Sequence, residues 1–254
     1  MTTSSRPDPR PDRLILTCEH AGHRIPREHA PLFRGAAALL ASHRGWDPGA
    51  LAVARHLARA SGVPLRAVTW SRLLVEANRA PANPRIWSQF TKSLPADERA
   101  RILDRYWWPH RREVETMVQE HATAGARVVH VAVHSFTGVL GHEVRNADIG
   151  LLYDPARPGE AALCRRWQET LHAVDPGLRV RRNYPYRGVA DGLPTWLRRR
   201  FGDDAYAGVE LELNQQLLTG AGLRRMKRAL AASLEQLLGF TAVRATGGGR
   251  TRTR

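Results

Sequence analysis

The sequence predicts a single α/β domain built on a central, mostly parallel (mixed) sheet with helices on both faces. Three observations predict it. Short apolar runs rich in β-branched residues alternate with longer stretches of helical periodicity along the chain. The most apolar run, RVVHVAVHSF (127–136), lacks the in–out alternation of a half-exposed strand and reads as a central strand buried on both faces. No repeat, low-complexity block or long linker interrupts the body of the chain, so one domain is the simplest organisation.

The elements follow in order. RLILTC (13–18) is expected as a buried strand, and GALAVARHLARA (49–60) as a helix stopped by Gly62 and Pro64. PLRAVTW (64–70) supplies a second strand. A long helix is expected from about Ala96 to Ala124, opening at Pro-Ala-Asp-Glu, where acidic residues suit a helix N-terminus. The central strand 127–136 is followed by a strand at 148–154, a helix at 159–172 and a short strand near 178–182. A helix at 194–201, a strand at 207–213 and a last helix at 221–238 complete the series. Residues 1–12, rich in Pro, Ser, Arg and Asp, are expected as a disordered leader, and 244–254 as a disordered basic tail. The domain is therefore placed at 13–243.

Composition narrows the function. Hydrophobic residues make up 43% and charged residues 25% of 254, the balance of a soluble globular protein. No stretch approaches the roughly 20 apolar residues of a membrane span, and MTTSSRPDPRPDR has no apolar core for a secretory signal. Cys18 and Cys164 cannot build a disulfide framework or a cysteine-only zinc site, so a reduced, cytoplasmic protein is expected. The formal charge of +15 is carried almost wholly by arginine, the only lysines being Lys92 and Lys227. Four arginines stand in the tail from Arg244, and the others lack an interleaved aromatic ladder. That pattern suits a solvated surface and attraction of anionic substrates better than nucleic-acid binding.

In sheets of this kind, sites form beyond the carboxyl ends of strands, and several polar clusters fall there. Cys18-Glu19-His20-Ala21-Gly22-His23 follows the first strand, and His134-Ser135-Phe136-Thr137-Gly138 closes the central one. Glu210 and Glu212, two apart on one strand, share a face. Asp47 precedes a helix. A hydrolytic zinc site needs three N/O ligands, an open position and a nearby base. His20, Asp47 and His134 could be those ligands and Glu212 the base. Each has a plainer reading: a hydrogen-bonded histidine at a strand end, a helix N-cap at Asp47, a solvent-facing carboxylate. His23 stands as a substitute ligand, Glu19 as an alternative to Asp47, and Glu210 as an alternative to Glu212. Asp47 is preferred over Glu19, because the adjacent Glu19 and His20 side chains would have to converge on one ion. Cys18 reads as a buried strand-end thiol rather than a nucleophile. Trp107 and Trp108 read as core, pocket wall or a helix–helix surface of a homodimer.

The order of His20, Asp47, Arg72, Asn78, Arg79, His134 and Glu212 resembles the sequence of roles in zinc carboxypeptidases, although the His-x-x-Glu pair of those enzymes is missing. A fuller likeness is to the N-formylglutamate amidohydrolase family. It rests on Cys-Glu-His-Ala-Gly-His-Arg-Ile-Pro (18–26), Trp-Asp-Pro-Gly-Ala (46–50) and Ser-Arg-Leu-Leu-Val-Glu-Ala-Asn-Arg (71–79). It continues through His-Ser-Phe-Thr-Gly (134–138), Asp-Ile-Gly-Leu-Leu-Tyr-Asp (148–154), Asn-Tyr-Pro-Tyr (183–186) and Val-Glu-Leu-Glu-Leu-Asn-Gln (209–215). Together these segments span nearly the whole folded body.

The resemblance implies a zinc-carboxypeptidase-like architecture of the phosphorylase/hydrolase type with one Zn2+ per chain. It implies hydrolysis, by zinc-activated water, of the amide of a small N-acyl acidic amino acid such as N-formyl-L-glutamate. His20, Asp47 and His134 would bind the metal and Glu212 would move the proton. Arg72, Asn78 and Arg79, with Arg145 as a further candidate, would grip substrate carboxylates, since guanidinium makes paired planar bonds to them. Ser135 and Thr137 would hold His134 or its loop. Glu19 stands where the family usually has Pro, and Glu76 where Asp is common before Asn-Arg, which points to a divergent branch. Two rival readings are a related zinc amidase on a peptide or cell-wall substrate, and a basic nucleic-acid-binding protein on a relic hydrolase fold.

Overall fold

Strand β1 (Asp12–Cys18) lies second in a six-stranded sheet whose order is β2 (Leu65–Ala67), β1, β3 (Arg127–Phe136), β8 (Tyr206–Asn214), β6 (Ile149–Leu152), β7 (Val180–Arg182). The structure, a computed structural model, describes residues 11–239. The expected tail and all but the last two residues of the expected leader lie outside them. β1 opens at Asp12, one residue earlier than expected, in register with Arg127, whose guanidinium donates to both Asp12 carboxylate oxygens at 2.8 and 3.0 Å. Strands β2, β1, β3 and β8 are mutually parallel, β6 runs antiparallel to β8, and β7 is parallel to β6. The sheet is thus mixed and mostly parallel, and the fold is a single α/β domain. The strand expected at 64–70 is only three residues long, an edge strand paired to β1 alone.

One face of the sheet is covered by α2 (Ala50–Ser61), α5 (Pro158–Val174) and α7 (Gly220–Leu238). In α2 the buried residues are Ala50, Val53, Ala54 and Leu57, the i, i+3, i+4, i+7 stripe of an amphipathic helix. Gly62, at φ 72°, ends it in the left-handed conformation that glycine adopts without steric cost. The buried positions of α7 repeat that spacing from Met226 to Leu237. Trp167 of α5 is wholly buried against them, and its indole N–H donates to Ser233 Oγ at 3.0 Å. Without that partner, burying the donor would cost about 1–3 kcal/mol.

The other face packs on α4 (Trp108–Thr123) and α6 (Leu193–Arg198) through Ile15, Val114, Val118, Val128, Leu193, Leu197 and Tyr206. A separate cluster around Phe33, Leu74, Ile86, Ile102 and Trp107 anchors the long segment between β2 and β3. The single helix expected over 96–124 is instead α3 (Ala96–Ile102), a π-helical turn (Leu103–Trp107) and α4. Pro109 is the physical reason: it has no N–H to donate, and its ring crowds the carbonyl four residues back, so the hydrogen-bond ladder widens just before it. The sequence pattern did not anticipate α1 (Ala37–Ala41), the 3-10 turn at Arg27–Phe33, or the small hairpin of β4 (Val139–Leu140) and β5 (Glu143–Val144). Among the described residues, no helix is long and apolar enough to cross a membrane.

Candidate active site

The site forms where β1, β3 and β8 end. β1 delivers Glu19 and His20, β3 carries His134 two residues before its end, and β8 carries Glu212 two residues before its own. Parallel pairing sets His134 opposite Glu212 and Ala132 opposite Glu210, so ligand candidate and base candidate are neighbours by register. Asp47 reaches the same point from the turn before α2. Its carboxylate does not cap that helix, whose N-cap is Gly49; it accepts from the Ser135 backbone N–H at 3.2 Å. Ser135 Oγ donates to the Pro48 carbonyl at 2.9 Å, tying the end of β3 to the Asp47 turn.

His20 Nδ1 and His134 Nδ1 both face Asp47 Oδ2, at 3.2 and 3.0 Å. Ligand atoms of His20, Asp47 and His134 all lie within 4.8 Å of one another, and all three residues are buried. Ligands about 2 Å from a tetrahedral zinc stand roughly 3.3 Å apart, close to these separations. The opposite ring nitrogens also face carboxylates: His20 Nε2 is hydrogen-bonded to Glu76 Oε1, and His134 Nε2 lies 3.0 Å from Glu19 Oε2 in an ionic contact without hydrogen-bond alignment. With both outer nitrogens facing carboxylates, the Nδ1 atoms of the two imidazoles and a carboxylate oxygen converge on one point. Only protons or a cation can occupy it without repulsion. The donor set therefore fits a divalent metal. Glu19, weighed as a ligand in place of Asp47, stands behind His134, on the far side of its ring. His23 is outside the cluster and packs against Trp46, the rings tilted by 48° with centroids 5.1 Å apart.

Electrostatics match this arrangement. Burial opposes ionisation of Asp47, but His20 and His134 outweigh it and hold its carboxyl well below the usual range. Burial and Arg72 push His20 down, yet Glu76 and Asp47 prevail and raise it. His134 is raised well above its ordinary value, against burial, by its contacts with Asp47 and Glu19. Glu212 behaves oppositely: burial, with Asp47 and Glu210 nearby, pushes it up to about 8, and its Oε2 has no partner among the described residues. Cys18 is a buried free thiol raised well above its usual value by burial and by Glu19, which does not suit a nucleophile.

A cavity of about 200 Å³ opens on this cluster, lined among others by Arg72, Asn78, Arg79, Tyr186, Arg187 and Glu212. The expected carboxylate-gripping residues are unequally available. Arg72 is bound to Glu76 Oε2 at 2.5 and 2.7 Å and to Asp47 Oδ1 at 3.4 Å, leaving its side chain 28% exposed. Asn78 is fully engaged, donating to Glu210 Oε1 at 2.8 Å and accepting from the Leu193 N–H at 2.7 Å. Arg79 donates to the Asp191 carbonyl. Arg145 does not line the cavity; it lies behind Tyr186, donating to its hydroxyl at 2.8 Å.

Arg187 was not expected. It is exposed, lines the cavity, and its side chain has no hydrogen bond or ion pair among the described residues. Its loop is shaped by Asn183, at φ 50°, whose Oδ1 accepts from the Tyr153 and Gly188 N–H groups at 3.1 and 3.0 Å. The motif Asn-Tyr-Pro-Tyr marked this loop, but nothing local showed which side chains it turns inward. Trp107 is 1% exposed, so it is core and not a dimer surface; its indole donates to the Arg79 carbonyl at 3.0 Å. Buried Arg111, flanked by Trp107 and Trp196, donates to the Ala77 carbonyl at 2.9 Å and holds the same segment from behind.

The sequence model of the N-formylglutamate amidohydrolase family matches residues 12–219. No curated protein matches the chain. Among solved structures, the gene product Atu2144 from Agrobacterium tumefaciens is 32% identical, with 89% of this chain and 88% of that one covered and a TM-score of 0.71. The N-formylglutamate amidohydrolase from Ralstonia eutropha JMP134 shares the fold at 20% identity and a TM-score of 0.67, over 92% of this chain and 96% of that one. With a family match that takes in every strand of the sheet and the whole residue cluster, the chain belongs to the N-formylglutamate amidohydrolase family.

Proposed function

We propose that this chain is a metal-dependent amidohydrolase that releases a small acyl group, formate foremost, from an acidic amino acid such as N-formyl-L-glutamate. The observation that carries the reading is the convergence of His20, Asp47 and His134 beside an unpartnered Glu212, in a cavity lined by arginines. At about 200 Å³ the cavity is smaller than the roughly 300–1,000 Å³ typical of drug-sized ligands, which favours a small substrate over a peptide or cell-wall strand.

His20, Asp47 and His134 would hold one divalent cation, zinc by ligand type and family. Bound there, the cation supplies Lewis acidity, polarising a carbonyl and lowering the pKa of water toward ~7. Arg79 and Arg187 hold the substrate carboxylates, with Arg72 offering its exposed edge and Asn78 fixing the wall through Glu210. Tyr186, braced by Arg145, closes the side of the cavity. Glu212, which a cation bound beside it would favour in its ionised form, takes a proton from the attacking water as the water oxygen bonds to the amide carbon. It then gives that proton to the departing nitrogen as the C–N bond breaks, leaving a carboxylic acid and a free amino acid. Glu210, engaged by Asn78, is the less available carboxylate for this task.

Metal analysis of the purified protein beside its His20→Ala and His134→Ala variants, with a panel of N-formyl and N-acetyl acidic amino acids, tests the reading. About one ion per chain, lost in the variants together with acyl release, is expected. A protein that holds no metal and gains no activity when zinc is added back would overturn it.

A further inference from the structure

Glu19 is a wholly buried carboxylate with two imidazole neighbours. Its Oε2 lies 3.0 Å from His134 Nε2, and its Oε1 lies 3.0 Å from His110 Nε2. Among the described residues neither Glu19 Oε2 nor His134 Nε2 makes an aligned hydrogen bond, so their approach is a close ionic contact, whereas His110 Nε2 and Glu19 Oε1 are hydrogen-bonded. His110 comes from α4, a helix on the opposite face of the sheet from α2, α5 and α7, and one that contributes nothing to the catalytic cavity. A buried carboxylate needs compensation, and here His110 supplies it by a hydrogen bond at one oxygen while the other lies in ionic contact with the outer nitrogen of His134.

We propose that Glu19 and His110 form a positioning pair for the metal site: His110 fixes the Glu19 carboxylate, and Glu19 fixes the His134 ring so that Nδ1 points at Asp47 and the ion. The inference rests on the metal-site reading above. A carboxylate behind a ligating histidine sets its tautomer and orientation and directs negative charge through the ring toward the metal.

The two histidines are supported differently. Glu76, behind His20, is also bound by Arg72 at 2.5 and 2.7 Å, so a permanent cation draws off its charge. Among the described residues Glu19 is in direct contact only with imidazoles, and Arg111 acts on it from further away. His134 is accordingly the ligand whose hold on the metal depends more on its buried partner. His110 also lines a separate recess of about 210 Å³ with Trp70, Arg105, Tyr106 and Glu113, so truncating it opens space without disturbing the catalytic cavity.

The test is metal affinity, measured by chelator competition on the full-length protein, with the visible spectrum of the cobalt-loaded form as a second readout. Glu19→Gln should weaken zinc binding about 10- to 100-fold, the usual cost of losing such a partner, and alter the cobalt spectrum. His110→Ala should weaken binding in the same direction. His110→Gln, which restores an N–H donor to Glu19, should recover much of the loss. The thermal stability of the metal-free proteins separates folding from positioning. Wild-type affinity and spectrum in both Glu19→Gln and His110→Ala would overturn the pair while leaving the metal site standing. So would an affinity loss that only follows destabilisation of the metal-free fold and is not recovered by His110→Gln. A wild-type protein that binds no divalent metal would remove the metal site and the pair with it.

Discussion

His134 and Glu212 face each other across adjacent parallel strands, paired in register on β3 and β8. A one-residue slip between these strands would turn one of the two side chains to the opposite face of the sheet. The nine-residue ladder from Val128–Tyr206 to Phe136–Asn214 is therefore what places a carboxylate beside the His–Asp–His cluster. Glu212→Gln keeps the shape and removes the carboxylate proposed as the base. It should retain metal while lowering kcat by about 10²–10⁴, the usual contribution of a general base. Steady-state kinetics with metal analysis of the same sample checks this; full activity in Glu212→Gln would reassign the proton transfer.

Arg187 is the lining arginine whose side chain has no partner among the described residues. Removing it leaves no buried group unsatisfied. Arg187→Ala should raise KM for an N-formyl acidic amino acid roughly 10-fold or more, in keeping with about 1.5–3 kcal/mol for a charged hydrogen bond, and leave Tm nearly unchanged. Asn78→Ala should do the reverse in part. It strips partners from Glu210 and the Leu193 N–H, so a Tm decrease is expected along with the kinetic loss.

Gly150, in register with Glu212 on β6, lies under the loop that carries Tyr186 and Arg187. A Cβ there would stand 2.0 Å from the Tyr184 carbonyl oxygen and 3.2 Å from Glu212 Cβ. The first contact is with backbone, which has little room to yield. Gly150→Ala should lower both Tm and kcat/KM, because the wall of the cavity must move. Wild-type kinetics in Gly150→Ala would show that the loop adapts at no cost.

His130 gives the fold a pH dependence separate from the site. It is fully buried, Nε2 against Thr17 Oγ1 at 2.8 Å and Nδ1 against the Tyr206 hydroxyl at 2.7 Å. Burial, reinforced by His110 and Arg198 against the pull of Glu19, lowers it to about 4. The unfolded chain, with a histidine near 6.5, binds the proton first. The stability held above pH 6.5 is thus lost as pH falls toward 4, by roughly 3 kcal/mol from this one group. Thermal unfolding of wild type and His130→Gln between pH 4 and 7 measures it: the variant should show the shallower slope, and equal slopes would assign the acid sensitivity elsewhere.

Much of the architecture was legible in local pattern. The strand 127–136 and the stripe Ala50, Val53, Ala54, Leu57 announce themselves, because the spacing of apolar residues is a property of neighbours in the chain. The long helix failed to read correctly at its middle, where the constraint of Pro109 was outweighed by the helical pattern on either side. The cluster of His20, Asp47 and His134, with Glu212 beside it, was also nameable as a candidate site from residue type and position at strand ends.

The sequence by itself determined the strands, the helices and the residue types able to meet at the strand ends, since these depend on periodicity and on chemistry carried locally. Only the tertiary structure decided how those residues are arranged and partnered. Register put Glu212 beside His134, and ring orientation turned both Nδ1 atoms to Asp47. Packing brought His110 across from α4 to meet Glu19. Long-range hydrogen bonding engaged Asn78 and set Arg145 behind Tyr186, while Arg187 stayed unpartnered. The reason is physical: a side chain's role is set by which partners satisfy its hydrogen bonds and charge, and those partners are 27 to 132 residues away in the chain for His20 with Asp47 and Asn78 with Glu210.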